Sequence, residues 1–272
     1  MPKNDTELLR MLRAGEKNPH VWSMVHRSLR GILDALCGTT YELVDLAIHM
    51  PGTLPEREKV LRKELLRAVP DLDQQLKNRM RERSEDTFEK IKPYINEDGD
   101  SLDLGCGSGE IAAQLFEHLN VGSVICADVR DWRKEAQHLD FYTVENNHIQ
   151  DAKNHEFDHV VMLMVAHHSD DPEALVAEAF RVGTAVTIIE SVTNNMFEYM
   201  YGTWIDWFYN RIVHYAADPG KKISVPARFL PAVGWEQMIF RITGRLPSVS
   251  QPLGIFQLLN PENHHLLHYA AE

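Results

Sequence analysis

The sequence is short of cysteine, of positive charge and of long apolar runs, and each shortage removes a class of answer. Three cysteines, Cys37, Cys106 and Cys126, stand far apart among 272 residues. Their number is odd and no CxxC pair exists, so no disulfide framework is expected, which suits a reducing cytoplasm. Lysine and arginine total 28 against 40 aspartates and glutamates, a formal net charge of −12. That balance repels a polyphosphate backbone and argues against general nucleic-acid binding. No apolar run approaches the ~18 residues needed to span a bilayer. The opening MPKNDTELLRMLR is charged and has no apolar signal core. Internal repeats and low-complexity tracts are also missing. The expectation is a soluble, cytoplasmic protein whose partner is a small molecule rather than a membrane or a nucleic acid. Oligomeric state stays open.

What is present divides near Pro93–Asp100. Ahead of it the spacing predicts four helices: one opened by Leu8, Leu9 and Leu12, then VWSMVHRSLRGILDALC with Gly38 as its stop. PEREKVLRKELLRAVPDL starts near Pro55, and QQLKNRMRERSEDTFEKIKPYI ends at Pro93. Residues 1–92 read as an N-terminal helical cap or lid. From residue 101 short apolar runs alternate with helical stretches: SLDLG, IAAQLFEHL, SVICADV, DFYTV, DHVVMLMVA, DPEALVAEAFRV and AVTIIESV. Such alternation is the pattern of a doubly wound α/β domain, its strands buried on both faces. The tail, ARFLPAVGWEQMIFRITG with LPSVSQPL and HHLLHYAA, reads as one more helix and an antiparallel strand pair at the edge. The fold class expected is α/β, a Rossmann-like sheet of about seven strands over residues 93–272, with a helical insertion at about 192–232.

LDLGCGSGE, residues 102–110, sits between the first strand and the helix after it. In open α/β sheets ligands bind at the carboxyl ends of the strands. Gly105, Gly107 and Gly109 permit a sharp turn and close approach of a ligand to the backbone. Asp128 ends the second strand, 19 residues past Gly109, about the spacing at which an acid meets a ribose hydroxyl. The spacing is GxGxG rather than the dinucleotide GxGxxG, and Glu110 is a poor neighbour for phosphate. Asp103 suits an ammonium or a sulfonium. A nucleoside with positive charge and no phosphate is S-adenosylmethionine.

These residues resemble the class I S-adenosylmethionine-dependent methyltransferases. The likeness runs from DLGCGSG and Asp128 through FYTVENNHI and FDHVVMLMVAHHSDDPEALVAEAFRV to AVTIIES, covering roughly residues 80–272. It implies a small-molecule methyltransferase with S-adenosylmethionine as cofactor. It implies that Val129 adjoins Asp128 in the site, that Asn146 and Asn147 lie near the adenine, and that Met162, Leu163 and Met164 lie near the transferred group. By the same likeness Arg83 faces the cofactor carboxylate. Arginine forks onto a carboxylate through two bonds.

His167 and His168 follow the fourth strand, and neighbours on a strand face opposite ways. No zinc-type spacing surrounds them, so no metal is expected. The segment FEYMYGTWIDWFYNRIVHY, residues 197–215, holds eight of the 23 aromatic residues. Helical spacing puts Phe197, Tyr201, Trp204, Phe208, Ile212 and Tyr215 on one face, read as packing. Tyr199, Asp206 and Asn210 fall on another, read as meeting a substrate. A sulfonium methyl is already activated, so the enzyme must hold the nucleophile in line and exclude water. His168, Asp206 and Tyr199 are the catalytic candidates, with Glu190 and His214 as further possible bases. Two alternatives remain. One is transfer or cyclisation of the cofactor's aminobutyrate arm, as in azetidine-2-carboxylate formation. The other is a non-catalytic cofactor sensor.

Overall fold

The computed structural model describes residues 4–37, 51–120, 122–220, 223–254 and 262–271; Gly38, expected to stop the second helix, lies outside them. The four predicted N-terminal helices are α1 Asp5–Lys17, α2 Pro19–Cys37, α3 Leu54–Ala68 and α4 Leu72–Ile91. Local chemistry sets their ends. Asn4 accepts the Thr6 and Glu7 N–H groups at the start of α1, and Thr53 with Glu56 closes a capping box on α3, with Pro55 in its first turn. A 3-10 turn at Lys92–Tyr94 holds Pro93 and ends α4.

The sheet contains β1 Ser101–Leu104, β2 Val124–Asp128, β3 Asp140–Glu145, β4 His148–Ile149, β5 Phe157–Leu163, β6 Gly183–Ser191, β7 Val249–Gly254 and β8 His264–Tyr269. Their order is β4-β3-β2-β1-β5-β6-β8-β7. From β3 to β6 the neighbours run parallel, and β8 pairs antiparallel with both β6 and β7. The antiparallel edge is therefore where the tail sequence put it. Two-residue β4, absent from the sequence reading, hairpins back on β3. Strand order reverses between β1 and β5, so the crevice at their carboxyl ends is the switch point at which such sheets bind ligands.

Helix α5 Glu110–His118 follows β1, α6 Pro172–Val182 joins β5 to β6, and α7 Met196–Trp207 follows β6. Helix α8 Ala232–Thr243 precedes β7. The period of two along the strands sorts the sheet's residues onto two layers. Leu102, Leu104, Val160, Met162, Val186 and Ile188 pack with residues of α6 and α8. Cys126, Val161, Ile189 and Leu266 pack with Phe88 and Ile91 of α4 and with Ala112 and Leu115 of α5.

The chain divides into two compact units. One holds residues 81–192, 230–254 and 263–271, which include the whole sheet. The other gathers the helices up to Met80 with Thr193–Phe229 and Glu262. Its core joins Leu12, Leu29, Ile32, Leu61 and Leu65 to Trp204, Trp207 and Phe208. After α7 the helix widens into a π-helix over Phe208–His214. That widening breaks the 3.6-residue period on which the aromatic stripe was drawn. Trp204, Phe208 and Ile212 are buried as expected, but so are Trp207 and Tyr209, whereas Phe197 is 46% exposed.

Candidate functional site

β1 is buried along its length and delivers the turn Gly105–Gly109 at its carboxyl end. Gly105, Gly107 and Gly109 have φ of +83°, +56° and +90°, the left-handed region that only glycine enters freely. Space forbids a side chain as well. A Cβ on Gly105 would stand 2.3 Å from Val165 Cγ2, and one on Gly109 2.8 Å from Ala136 Cβ. The turn is tied to β2: the Gly105 and Cys106 N–H groups both donate to the Ala127 carbonyl, at 2.7 and 3.1 Å. Asp128 Oδ2 accepts the Gly107 N–H at 2.9 Å, and its Oδ1 accepts the Val129 N–H at 2.7 Å. Val129 itself is 68% exposed.

Asp103 lies beneath this turn, paired in register with Cys126 on one side and Val161 on the other. It is 3% exposed, and its Oδ2 has no hydrogen-bond partner among the described residues. Burial first, then the charges of Asp128 and Glu110, push its carboxyl up to about 7. Glu110 opens α5 and accepts the Ser108 hydroxyl at 2.7 Å. Three carboxylates thus surround the glycines, an arrangement hostile to a phosphate and receptive to a cation.

Asn146 and Asn147 form the two-residue loop between β3 and β4, with φ of 52° and 62°, values asparagine tolerates in a tight hairpin. Asn146 is exposed; Asn147 Oδ1 accepts the Ser169 hydroxyl at 2.8 Å, which ties the hairpin to the segment after β5. Met162 is fully buried on the α6–α8 side, and half-buried Leu163 packs on the opposite layer. Arg83 on α4 donates through Nη2 to Met164 Sδ at 3.0 Å.

β5 ends at Leu163, earlier than the apolar run suggested, because Met164 turns to φ 56°. A long side chain in that region carries strain of about 1–3 kcal/mol, and such residues cluster at ligand sites. Glu190, 1% exposed near the end of β6, holds the segment that follows. Its Oε1 accepts the Val165 and Ala166 N–H groups at 3.0 and 2.6 Å, and its Oε2 meets His167 Nδ1 at 2.6 Å. Both oxygens are engaged, so Glu190 is a structural acceptor and not a free base. His167 and His168 lie on a 3-10 turn, Ala166–His168, rather than on a strand. Their rings stand side by side, centroids 4.1 Å apart, instead of facing opposite ways. His167 is buried and His168 half-buried.

Tyr199, Asp206, Asn210 and His214 belong to the helical unit. The Tyr199 hydroxyl donates to the Ala227 carbonyl at 2.9 Å, and burial pushes its phenol up. Asn210 Nδ2 donates to Asp206 Oδ1 at 2.6 Å, and Asp206, Asn210 and His214 are all buried. Sequence reasoning missed Val165, which seals Gly105, and His167 as the partner of Glu190. No local pattern announces either, because both depend on contacts between the ends of neighbouring strands.

A family model described as a methyltransferase domain matches residues 72–228. No curated protein matches the chain in sequence. Among solved structures, a candidate O-methyltransferase from Nostoc punctiforme PCC 73102 is 14% identical, with a TM-score of 0.51. The match covers 90% of this chain and 69% of that one. A complex of the Haloferax volcanii Trm112 methyltransferase activator with a candidate methyltransferase also matches, at 14% identity and a TM-score of 0.50. There the match covers 74% of this chain and 93% of that one. At such identities the likeness is one of fold.

Proposed function

Because the chain belongs to the methyltransferase-domain family, as an S-adenosylmethionine-dependent enzyme, we propose that it methylates a small-molecule acceptor. The residues present fit the cofactor. The orphaned, buried Asp103 Oδ2 lacks a cationic or hydrogen-bonding partner that an ammonium or sulfonium group supplies. Asp128, which braces the turn through both carboxylate oxygens, is assigned to the ribose diol. Arg83 is assigned to the cofactor carboxylate, and Val129, Asn146 and Asn147 to the adenine side. When bound, the cofactor supplies an electrophilic methyl on sulfur.

The chain's own work is then positioning and exclusion of water. The glycine turn and Asp128 orient the nucleoside, and the segment held by Glu190 stands beside them. Met162, Leu163 and Met164 lie at and beyond the end of β5, where we place the transferred group. His168, Asp206 and Tyr199 are assigned to the acceptor. His168 is the proton acceptor if the nucleophile must lose one, since the Tyr199 hydroxyl is engaged by Ala227 and its phenol is pushed up by burial. Asp206, braced by Asn210, orients an N–H or O–H of the acceptor.

The observation that carries this reading is the left-handed glycine turn over the buried, half-satisfied Asp103. The test is incubation with methyl-labelled S-adenosylmethionine and a metabolite extract. Appearance of S-adenosylhomocysteine with label in a small molecule supports methyl transfer. Methylthioadenosine would replace it with transfer of the aminobutyrate arm, and bound but unconsumed label would make the protein a sensor.

A further inference from the structure

The carboxylate of Glu190 reaches from β6 to the segment after β5 and engages it through both oxygens. One oxygen takes two consecutive backbone N–H groups, Val165 and Ala166, and the other takes the imidazole of His167. Both side chains of that ion pair are 2% exposed. A buried charge in this setting is kept only when it is fully paired, and here its pairing fixes three successive residues. Those residues matter because of what adjoins them. Met164, immediately before, is held at φ 56° with its sulfur on Arg83. Val165 packs so closely on Gly105 that no side chain fits there. The rings of His167 and His168 adjoin, centroids 4.1 Å apart and tilted by 39°. Backbone at a strand's carboxyl end gains nothing by itself from such a strained course, so an external hold is required.

We propose that Glu190 and His167 form a positioning clamp that keeps Met164, Val165 and His168 in binding geometry against the glycine turn. The cofactor pocket is thereby preformed before its ligand arrives. This rests on the reading that S-adenosylmethionine binds at that turn. Preformed sites bind more tightly because ordering is not charged to the binding step. In the unclamped protein, Met164 relaxes toward ordinary β geometry and Val165 leaves Gly105. Affinity for the nucleoside then falls although no residue touching it has changed.

The experiment compares wild type, Glu190→Gln, Glu190→Ala and His167→Gln by calorimetric titration with S-adenosylhomocysteine at a temperature well below unfolding. In parallel, proton NMR follows the His167 Nδ1–H resonance and amide exchange follows Val165 and Ala166. The clamp predicts a strongly downfield imidazole proton in the wild type that vanishes in all three variants. It predicts a Kd at least tenfold higher in Glu190→Ala and a smaller rise in Glu190→Gln, which retains one acceptor oxygen for the two backbone N–H groups. Faster exchange at Val165 and Ala166 should rank the variants in the same order as Kd. A purely structural role would lower the unfolding temperature and leave Kd within twofold in every variant that folds, and that result overturns the proposal. If Glu190→Ala does not fold, Glu190→Gln and His167→Gln carry the comparison alone. A wild type that fails to bind the ligand overturns the cofactor reading and the clamp together. A wild type that binds, with variants that bind equally well, overturns the clamp only.

Discussion

Asp103 is buried, has one oxygen with no hydrogen-bond partner among the described residues and has two other carboxylates nearby, so it resists ionisation. Its carboxyl is raised from 3.8 to about 7. The sign follows: a raised folded value costs nothing below 3.8, and the penalty grows as pH rises toward 7. At about 1.4 kcal/mol per pH unit the full cost approaches 4 kcal/mol. Ligand-free Asp103→Asn should therefore melt above wild type, with a gap that widens from pH 5 to pH 8 in thermal scans. A cation in the site favours the ionised acid, so wild-type affinity for S-adenosylmethionine should climb as pH rises toward 7, with proton release on binding, and level off above it. Asp103→Asn should bind more weakly with a flat pH profile; a wild-type profile flat from pH 5.5 to 8.5 would remove Asp103 from the cofactor's contacts. Gly105→Ala combines a left-handed φ with a 2.3 Å clash against Val165. It should lose about 2–5 kcal/mol of stability and abolish binding. The glycines and Asp103 were legible in the sequence because a tight turn restricts which residues can form it. Glu190's role was not, since a glutamate ending an apolar run looks the same whether it is a base or a clamp.

At the scale of elements, β5, β6 and β8 share a buried polar row on the α4–α5 side of the sheet. His159 Nε2 bonds the Thr187 hydroxyl at 2.8 Å, and that oxygen bonds His268 Nδ1 at 2.9 Å. Tyr94 stacks on His268 with its backbone on His159, and Ser101 pairs with His159 in register. Arg245 adds positive charge beside His268. Burial drives both imidazoles down, His159 to about 3. The unfolded chain therefore takes up protons that the folded one refuses, and stability falls as pH drops below 6.5 toward 3. His159 alone should cost about 2 kcal/mol at pH 5 relative to pH 8. Denaturant midpoints at the two pH values check this, and Thr187→Val should lower stability at both because each ring loses a partner. The strands themselves were readable from their apolar runs. The early end of β5 was not, because Met164's turn goes with contacts to Arg83 and the Ile189 carbonyl, far off in sequence, rather than with local propensity. The π-helix after α7 was hidden in the same way: aromatic spacing at 3.6 residues describes the α-helix the chain abandons at Phe208.

For the whole molecule, the alternation of strands and helices was enough to place the doubly wound sheet and its antiparallel edge. That Thr193–Phe229 packs into one unit with the N-terminal helices was not legible, since the links join residues far apart in sequence. Trp204 Nε1 donates to the Leu12 carbonyl at 2.8 Å, and Trp207 Nε1 to Glu58 at 3.0 Å. Glu58, 3% exposed, also pairs with Arg62 and Arg211. Glu58→Ala would strand the buried Trp207 N–H and remove the acid from two half-buried arginines, and should cost about 2–4 kcal/mol in urea unfolding. Asp206→Ala should lower turnover while leaving cofactor affinity within twofold; a matching loss of affinity would remove Asp206 from the acceptor's contacts. Among the described residues no helix is long and apolar enough to cross a membrane. The central claim is met most directly by calorimetric titration of the wild-type protein with S-adenosylmethionine and S-adenosylhomocysteine beside Asp128→Ala. Saturable binding by the wild type, weakened at least tenfold in the variant, is the predicted result. No heat with either compound, together with tight binding of a nicotinamide or flavin coenzyme, would contradict it.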